Sequence, residues 1–293
     1  MISIIVCSIH PEQNKSFQEN IRQTIGVPYE ILVHDNREVN WGLCKTYNQY
    51  ARLSKYDILC FFHEDILFQS TDWGKVLVDF YQQKPDAGVI GFAGATIKTP
   101  YINGWGSYRE STRKNLIQQY KDGTQKSFII NPQNEKFAPV VTLDGLALIA
   151  TKKVWEENHF DENNFRRFHL YDLDFTLQVA QHHTNYVCYG IKIAHLSEGS
   201  CSKEWFKESQ KFIHKWRHAL PFAVTPYPSE FIRKCEKYDL YQMIKLDLRH
   251  NWDELSFWAI IRKLFEADSL LYKLKLIKYV TKAGWKKIHP KST

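Results

Sequence analysis

Three short stretches of the chain carry residues whose types and spacing suit chemistry. In FFHEDI an apolar run ends directly in His63, Glu64 and Asp65, a dense set of oxygen and imidazole donors at a strand's carboxyl end. Hard divalent cations take carboxylate oxygens, and Mn²⁺ also accepts imidazole, so the motif predicts a Mn²⁺ or Mg²⁺ site with Asp65 as its main contact. An ion there neutralises charge developing on a diphosphate. Taken alone, the tripeptide equally fits an ordinary strand end whose acids face water.

The second stretch, FHLYDLDFTLQ, sets Asp172 and Asp174 at the opening of a predicted helix. Carboxylates are favoured there by the helix dipole and can cap free amides, and one placed beside a hydroxyl substrate can also act as general base. In the third, IAHLSEGS, His195 follows an apolar strand. A lone histidine in that position is most often structural, and becomes a ligand only if it approaches the acidic cluster.

These residues need a scaffold that brings strand ends together. From residue 2 to about 95, short apolar runs (ISIIVCS, EILVHDN, DILCFFHED, AGVIGFAG) alternate with helical stretches near 14–24, 42–53 and 72–83. A βαβαβαβ series implies a mostly parallel sheet flanked by helices, with its ligand site beyond the carboxyl ends of the strands. Ser8 and His10, Asp35 and Asn36, and His63 to Asp65 then converge on one edge. Residues 96–137, rich in Gly, Tyr, Trp, Lys and Asn, read as an irregular excursion covering a site. PVVTLDGLALIATKKVWEE reads as a strand interrupted at Asp144 and Gly145 followed by a helix, and NYVCYGIKIAHLSEGS as a further strand. Beyond about residue 203 the pattern is helical, and the last part is basic and amphipathic.

The 293 residues, 44% hydrophobic and 15% aromatic, support a sizeable core and exclude bulk disorder. The net charge of +7 favours an acidic ligand without choosing among nucleotides, nucleic acid and anionic lipid. Six scattered cysteines without a CxxC pair argue against a zinc finger or a disulfide scaffold. The start, MISIIVCSIH, reads as a first strand rather than a signal peptide, so a cytoplasmic location is expected.

Taken in order, ISIIVCS, ILVHDN, WGLCKTYNQYARLSKYDILCFFHEDI, LDGLALIATKKVW, FDENNFRRFHLYDLDFTLQ and IAHLSEGS resemble the family 2 glycosyltransferases of GT-A fold, and within them the StrF-like branch of streptomycin biosynthesis. The resemblance implies a GT-A (nucleotide-diphospho-sugar transferase, Rossmann-like) α/β catalytic domain over residues 1–216 and a basic helical C-terminal appendage over 217–293. It implies transfer of a single sugar from a nucleotide-diphosphate sugar, by default a UDP-sugar, to a glycan, lipid-linked or other hydroxyl acceptor, with inversion and with a divalent metal. On this resemblance Ser8, Asp35 and Asn36 contact the nucleoside, Lys45 and Asn48 approach the donor, and Glu64 and Asp144 lie in the donor site. Asp65 binds the metal with His63 in place of the usual first acid of an Asp-x-Asp motif, His195 completes the metal site, and Asp172 is the base. Tyr171 stands where the family often has Glu, Gln178 where Arg is frequent, and the Gln-x-x-Arg-Trp signature of processive synthases is absent, which points away from polymerisation.

The competing readings are a catalytically silent GT-A-like module that binds a nucleotide or glycan, and nucleic-acid binding through the basic C-terminal helices, although no nucleic-acid motif is present. A Rossmann dehydrogenase lacks its GxGxxG turn. For the basic C-terminal helices, peripheral contact with the inner face of a membrane stands beside ordinary packing onto the core.

Overall fold

The computed structural model describes residues 1–250 apart from Lys121, Glu198 and Ser200, together with Ile277. The first half of the chain alternates as its apolar runs predict: β1 (Ile2–Ser8), α1 (Pro11–Thr24), β2 (Tyr29–Asp35), α2 (Leu43–Leu53), β3 (Ile58–Phe62), a short β4 (Ile66–Phe68), α3 (Trp73–Gln83) and β5 (Ala87–Gly91). There follow β6 (Ala93–Ala95), β7 (Ile97–Lys98), β8 (Thr112–Gln119), β9 (Gln125–Ile130), β10 (Phe137–Val140), β11 (Thr142–Leu143), β12 (Ala147–Thr151), α4 (Lys152–Glu157), α5 (Tyr171–Val179), β13 (Thr184–Cys188), β14 (Ile193–His195), α6 (Lys203–Trp216), β15 (Phe222–Ala223) and α7 (Ser229–His250).

The central sheet has the order β10-β13-β5-β12-β3-β1-β2. Its pairings make five strands run one way, with β12 and β10 opposed, so the sheet is mostly parallel. β1 and β3 are apolar and β-branched or aromatic because both their faces are covered. Ile2, Ile4, Val6, Ile58, Cys60 and Phe62 pack on one side with Phe17 and Ile21 of α1 and Trp73 and Leu77 of α3. Ile5, Leu59 and Phe61 face the other side, against Leu43 and Tyr47 of α2, Trp155 of α4 and Phe175 of α5. Each fully buried side chain of this size contributes about 2 kcal/mol of burial free energy.

Two expectations are corrected. Residues 96–137 are not an irregular loop throughout: β8 and β9 pair antiparallel from Lys114↔Ile130 to Gln119↔Gln125. Their polar sequences, TRKNLIQQ and QKSFII, hide the pairing because β9 lies at the sheet margin with mostly exposed or half-buried residues. NYVCYGIKIAH is not one strand either. It breaks after Cys188, so that β13 joins the central sheet while β14 joins a second sheet of order β11-β6-β8-β14-β4.

From residue 217 to residue 250 the chain stays tied to the body. β15 pairs with β7, and Leu240, Met243 and Ile244 of α7 pack with Ile102 and Phe206. No helix among the described residues is long and apolar enough to cross a membrane. The basic amphipathic stretch from 255 to 293, with its expected lipid contact, lies outside the described residues save Ile277.

Candidate active site

Backbone pairing, not sequence proximity, assembles the site. β14 runs antiparallel to β4 with His195 opposite Ile66, and the Leu196 amide donates to the Asp65 carbonyl at 2.8 Å. This sets His195 beside Asp65 across 130 residues of chain. β12 runs antiparallel to β3 with Ala147 opposite Phe62, and the His63 amide donates to the Leu146 carbonyl at 3.0 Å, which sets the LDG turn beside the HED turn.

His63, Asp65 and His195 offer ligand atoms that all lie within 4.8 Å of one another. The His195 Nε2 is 3.3 Å from Asp65 Oδ2, and His63 Nδ1 is 3.9 Å from Asp65 Oδ1. Burial alone would raise the Asp65 pKa, but the His195 hydrogen bond and the two imidazoles outweigh it and hold the carboxyl well below the usual range. Burial pulls the His63 imidazole down, towards the neutral form a metal requires; for His195 burial acts the same way but the Asp65 carboxylate reverses it and raises the pKa.

Two observations test whether these residues suit a divalent ion. Asp65 Oδ1 is buried without a hydrogen-bond partner among the described residues, an arrangement that costs free energy unless something outside the protein satisfies it. The Tyr171 hydroxyl donates to the Gly145 carbonyl at 2.9 Å, so at 2.6 Å from His63 Nε2 it must accept that proton, leaving the Nδ1 lone pair turned towards Asp65. The two imidazoles and one carboxylate fit Mn²⁺, and fit Mg²⁺ less well, since that ion prefers oxygen throughout. Tyr171, noted in the sequence only as a departure from the family pattern, therefore sets the histidine's tautomer.

The same turn positions Asp172. Gly145 leaves no room for a side chain: a β-carbon there would lie 2.2 Å from the Tyr171 hydroxyl and 2.9 Å from the Asp172 β-carbon. Its amide donates to Asp172 Oδ2 at 3.0 Å. Burial, followed by the nearby Asp144 charge, raises the Asp172 pKa to about 7. Asp144 itself shapes the turn, accepting from the Leu146 amide at 3.0 Å.

A cleft of about 720 Å³ is lined by His63, Glu64, Asp65 and Ser197 together with Asn36, Trp41, Arg166, Arg167, Phe168 and Glu204, while His195, Asp144 and Asp172 stand behind this lining. Arg166, Arg167 and Phe168 escaped the sequence reading. Their signal was the FRRF run directly ahead of the acidic helix, and Gly42 is what admits them, since a β-carbon there would lie 2.1 Å from the Arg166 carbonyl oxygen.

The other expected site residues are placed as follows. Glu64 accepts from the Ser8 hydroxyl at 2.6 Å and from the Ile9 and His10 amides at 3.0 Å each, fastening the end of β1 to the metal-ligand turn. Asn36 holds the 36–41 turn, with its side chain bonded to both the amide and the carbonyl of Trp41 at 2.6 and 2.9 Å. Lys45 is exposed, with its ammonium 4.1 Å from the centre of the Trp41 ring. Asp35 is exposed and paired with Arg37, whose hydrogen bonds lower its pKa to about 2; with Ser8 it lines a separate groove of about 640 Å³ along α1 and β2. Asn48 is kept out of the cleft: it is 1% exposed, and its amide is committed to Phe160, Glu162 and Trp155. Asp174 is likewise structural, accepting from Lys215 and the Trp216 indole at 2.8 Å each.

Among solved structures, the chain is similar to the mannosyltransferase PcManGT from Pyrobaculum calidifontis in complex with GDP-Man and Mn²⁺, at 12% identity and a TM-score of 0.50, covering 99% of this chain and 88% of that one. It is also similar to GalNAc-T7 with UDP, GalNAc and Mn²⁺, at 10% identity and a TM-score of 0.49, covering 86% of this chain and 58% of that one. The first likeness shows the fold, which is that of the GT-A glycosyltransferases. No curated protein sequence matches the chain. The family model described as "Glycosyltransferase like family" matches residues 3–217, most of the chain including all three chemical motifs, and the chain belongs to that family.

Proposed function

We propose that the chain transfers a single sugar, with inversion, from a nucleotide-diphosphate sugar to a hydroxyl acceptor, with UDP-sugars the first donors to test. The observation that carries this reading is the His63, Asp65 and His195 cluster with its orphaned Asp65 oxygen, two members of which, His63 and Asp65, line a cleft together with Arg166 and Arg167. A divalent ion held there would offset the charge on the departing diphosphate. Arg166 and Arg167 line the same cleft, and guanidinium groups pair with phosphate oxygens bidentately, Arg167 exchanging its Glu204 partner for a phosphate. Trp41 lines the same cleft, its ring stacked on His34 at 4.7 Å and covered by the Lys45 ammonium at 4.1 Å, which puts a fixed positive charge beside the cleft.

Asp172 is the proposed base. Its carboxylate takes the proton from the acceptor hydroxyl, the hydroxyl oxygen bonds to the anomeric carbon, and the bond from that carbon to the diphosphate oxygen breaks with its electron pair on the nucleotide. A pKa raised to about 7 suits this role, because a base poised near the working pH combines availability with driving force. Glu64, Tyr171 and Gly145 act through position alone.

The test is nucleotide release from a panel of UDP-, GDP- and dTDP-sugars in Mn²⁺ with simple glycosides as acceptors. Release that depends on Mn²⁺ and disappears in Asp172→Asn supports the proposal. Nucleotide binding without release from any member would favour a silent nucleotide-binding module.

A further inference from the structure

Whereas Ser197 lines the cleft described above, Gly199 and Cys201 line a second cavity, of about 630 Å³. Its walls come from the 103–114 segment and from α6 and α7. The volume falls within the roughly 300–1,000 Å³ of small-molecule sites.

Three aromatic side chains, Trp105, Trp205 and Tyr238, line it, all half-buried, alongside Asp239 and Gln242. Asp239 is fully buried. Its Oδ2 accepts from the hydroxyls of Thr99 and Ser107 at 2.7 Å each, while its Oδ1 makes no hydrogen bond of good geometry among the described residues, the Asn103 side chain and the Lys98 charge acting on the carboxyl only from nearby. A buried carboxylate oxygen left unpaired at a cavity wall marks a place for a ligand donor. Aromatic faces joined to carboxylate and amide acceptors make up a surface for a pyranose, which is apolar across its C–H faces and rich in hydroxyl donors at its edge.

The cavity is also coupled to the proposed chemistry. Lys114 lines it and stands close enough to Asp144 and His195 for its charge to act on both. Trp105 is anchored by the Thr142 hydroxyl, which donates to its carbonyl at 3.1 Å from the strand that leads into Asp144 and Gly145. We propose that this cavity is a saccharide-binding subsite that holds the acceptor glycan, with Trp105 as its stacking face and Asp239 and Gln242 as its hydroxyl acceptors. The proposal rests on the glycosyl-transfer reading and deepens it by naming a sugar, free or lipid-linked, as the acceptor.

The experiment is a tryptophan-fluorescence titration of the full chain with methyl glycosides of glucose, galactose, mannose and N-acetylglucosamine, and with their n-hexyl counterparts, with UDP and Mn²⁺ affinity measured on the same samples. At least one glycoside should bind saturably. Trp105→Ala and Asp239→Asn should weaken it tenfold or more, Trp105→Phe should restore most of the loss, and UDP affinity should stay within twofold in all three. If Asp239→Asn fails to fold, the Trp105 pair decides. Asp65→Ala should lose UDP yet keep the glycoside. Tighter binding of the hexyl series points to a lipid-linked acceptor, and equal binding to a free glycan. The proposal is overturned if no glycoside binds, or if Trp105→Ala binds it like wild type. Glycoside binding by a wild-type protein that never binds a nucleotide would instead remove the transferase reading and leave the saccharide site standing.

Discussion

The two acidic motifs, HED at the end of β3 and YDLD at the start of α5, divide their labour in the same way and to opposite electrostatic ends. In each, one carboxylate is spent on the fold: Glu64 fastens β1, and Asp174 binds Lys215 and Trp216 of α6. In each, the other carboxylate is the one the proposed function assigns to chemistry. Asp65, between two imidazoles, is held ionised well below the usual range, as a cation ligand must be. Asp172, with the Asp144 charge near it and no cation bonded to it among the described residues, rises to about 7, which suits the base proposed above. Two carboxylates of one site thus acquire different roles from their surroundings alone.

Exchanging the members of each pair should expose that division. The largest effect is expected on turnover: Asp172→Asn should cut sugar transfer by about 10²- to 10⁴-fold, the usual worth of a general base, with nucleotide affinity unchanged in calorimetry. Asp174→Asn should do the reverse. Breaking its part-buried pair with Lys215 should cost about 1–3 kcal/mol of stability in urea unfolding, and activity per folded molecule should survive. Glu64→Gln keeps the shape but weakens three charge-assisted hydrogen bonds, so a loss of about 1–2 kcal/mol is expected by the same assay, with weaker metal binding as the Asp65 turn loosens.

A further effect concerns pH. The Asp172 pKa is raised in the folded chain, so the folded state holds its proton more tightly than the unfolded one, and stability falls as pH rises from the ordinary carboxylate value through about 7. In metal-free protein, Asp172→Asn should therefore raise Tm more at pH 8 than at pH 4. Wild-type transfer should show the complementary trend, falling as pH drops below about 7.

The strands that carry the site were legible because β1, β3 and β5 are buried on both faces and so read as unbroken apolar runs. The clustering of His195 with Asp65 was legible only through family resemblance, since it depends on the antiparallel β4–β14 pairing of two three-residue strands. Asn48 misled because a polar residue on a helix looks alike whether it meets a ligand or, as here, braces the 155–162 turn. Arg166 and Arg167 were invisible as site residues because a loop's placement follows from the close approach at Gly42, which no local pattern announces. Asp239 stayed hidden because a carboxylate within a helix rich in charged residues reads as solvated.

The central claim is that His63, Asp65 and His195 hold a divalent ion that binds a nucleotide diphosphate. Calorimetric titration of UDP and GDP into the full chain, in Mn²⁺ and in EDTA, with wild type and Asp65→Ala side by side, tests it most directly. Binding is expected in Mn²⁺ and should vanish in EDTA and in the variant, while thermal unfolding shows both proteins folded. Nucleotide binding that is equal in Mn²⁺ and EDTA and survives Asp65→Ala would contradict it.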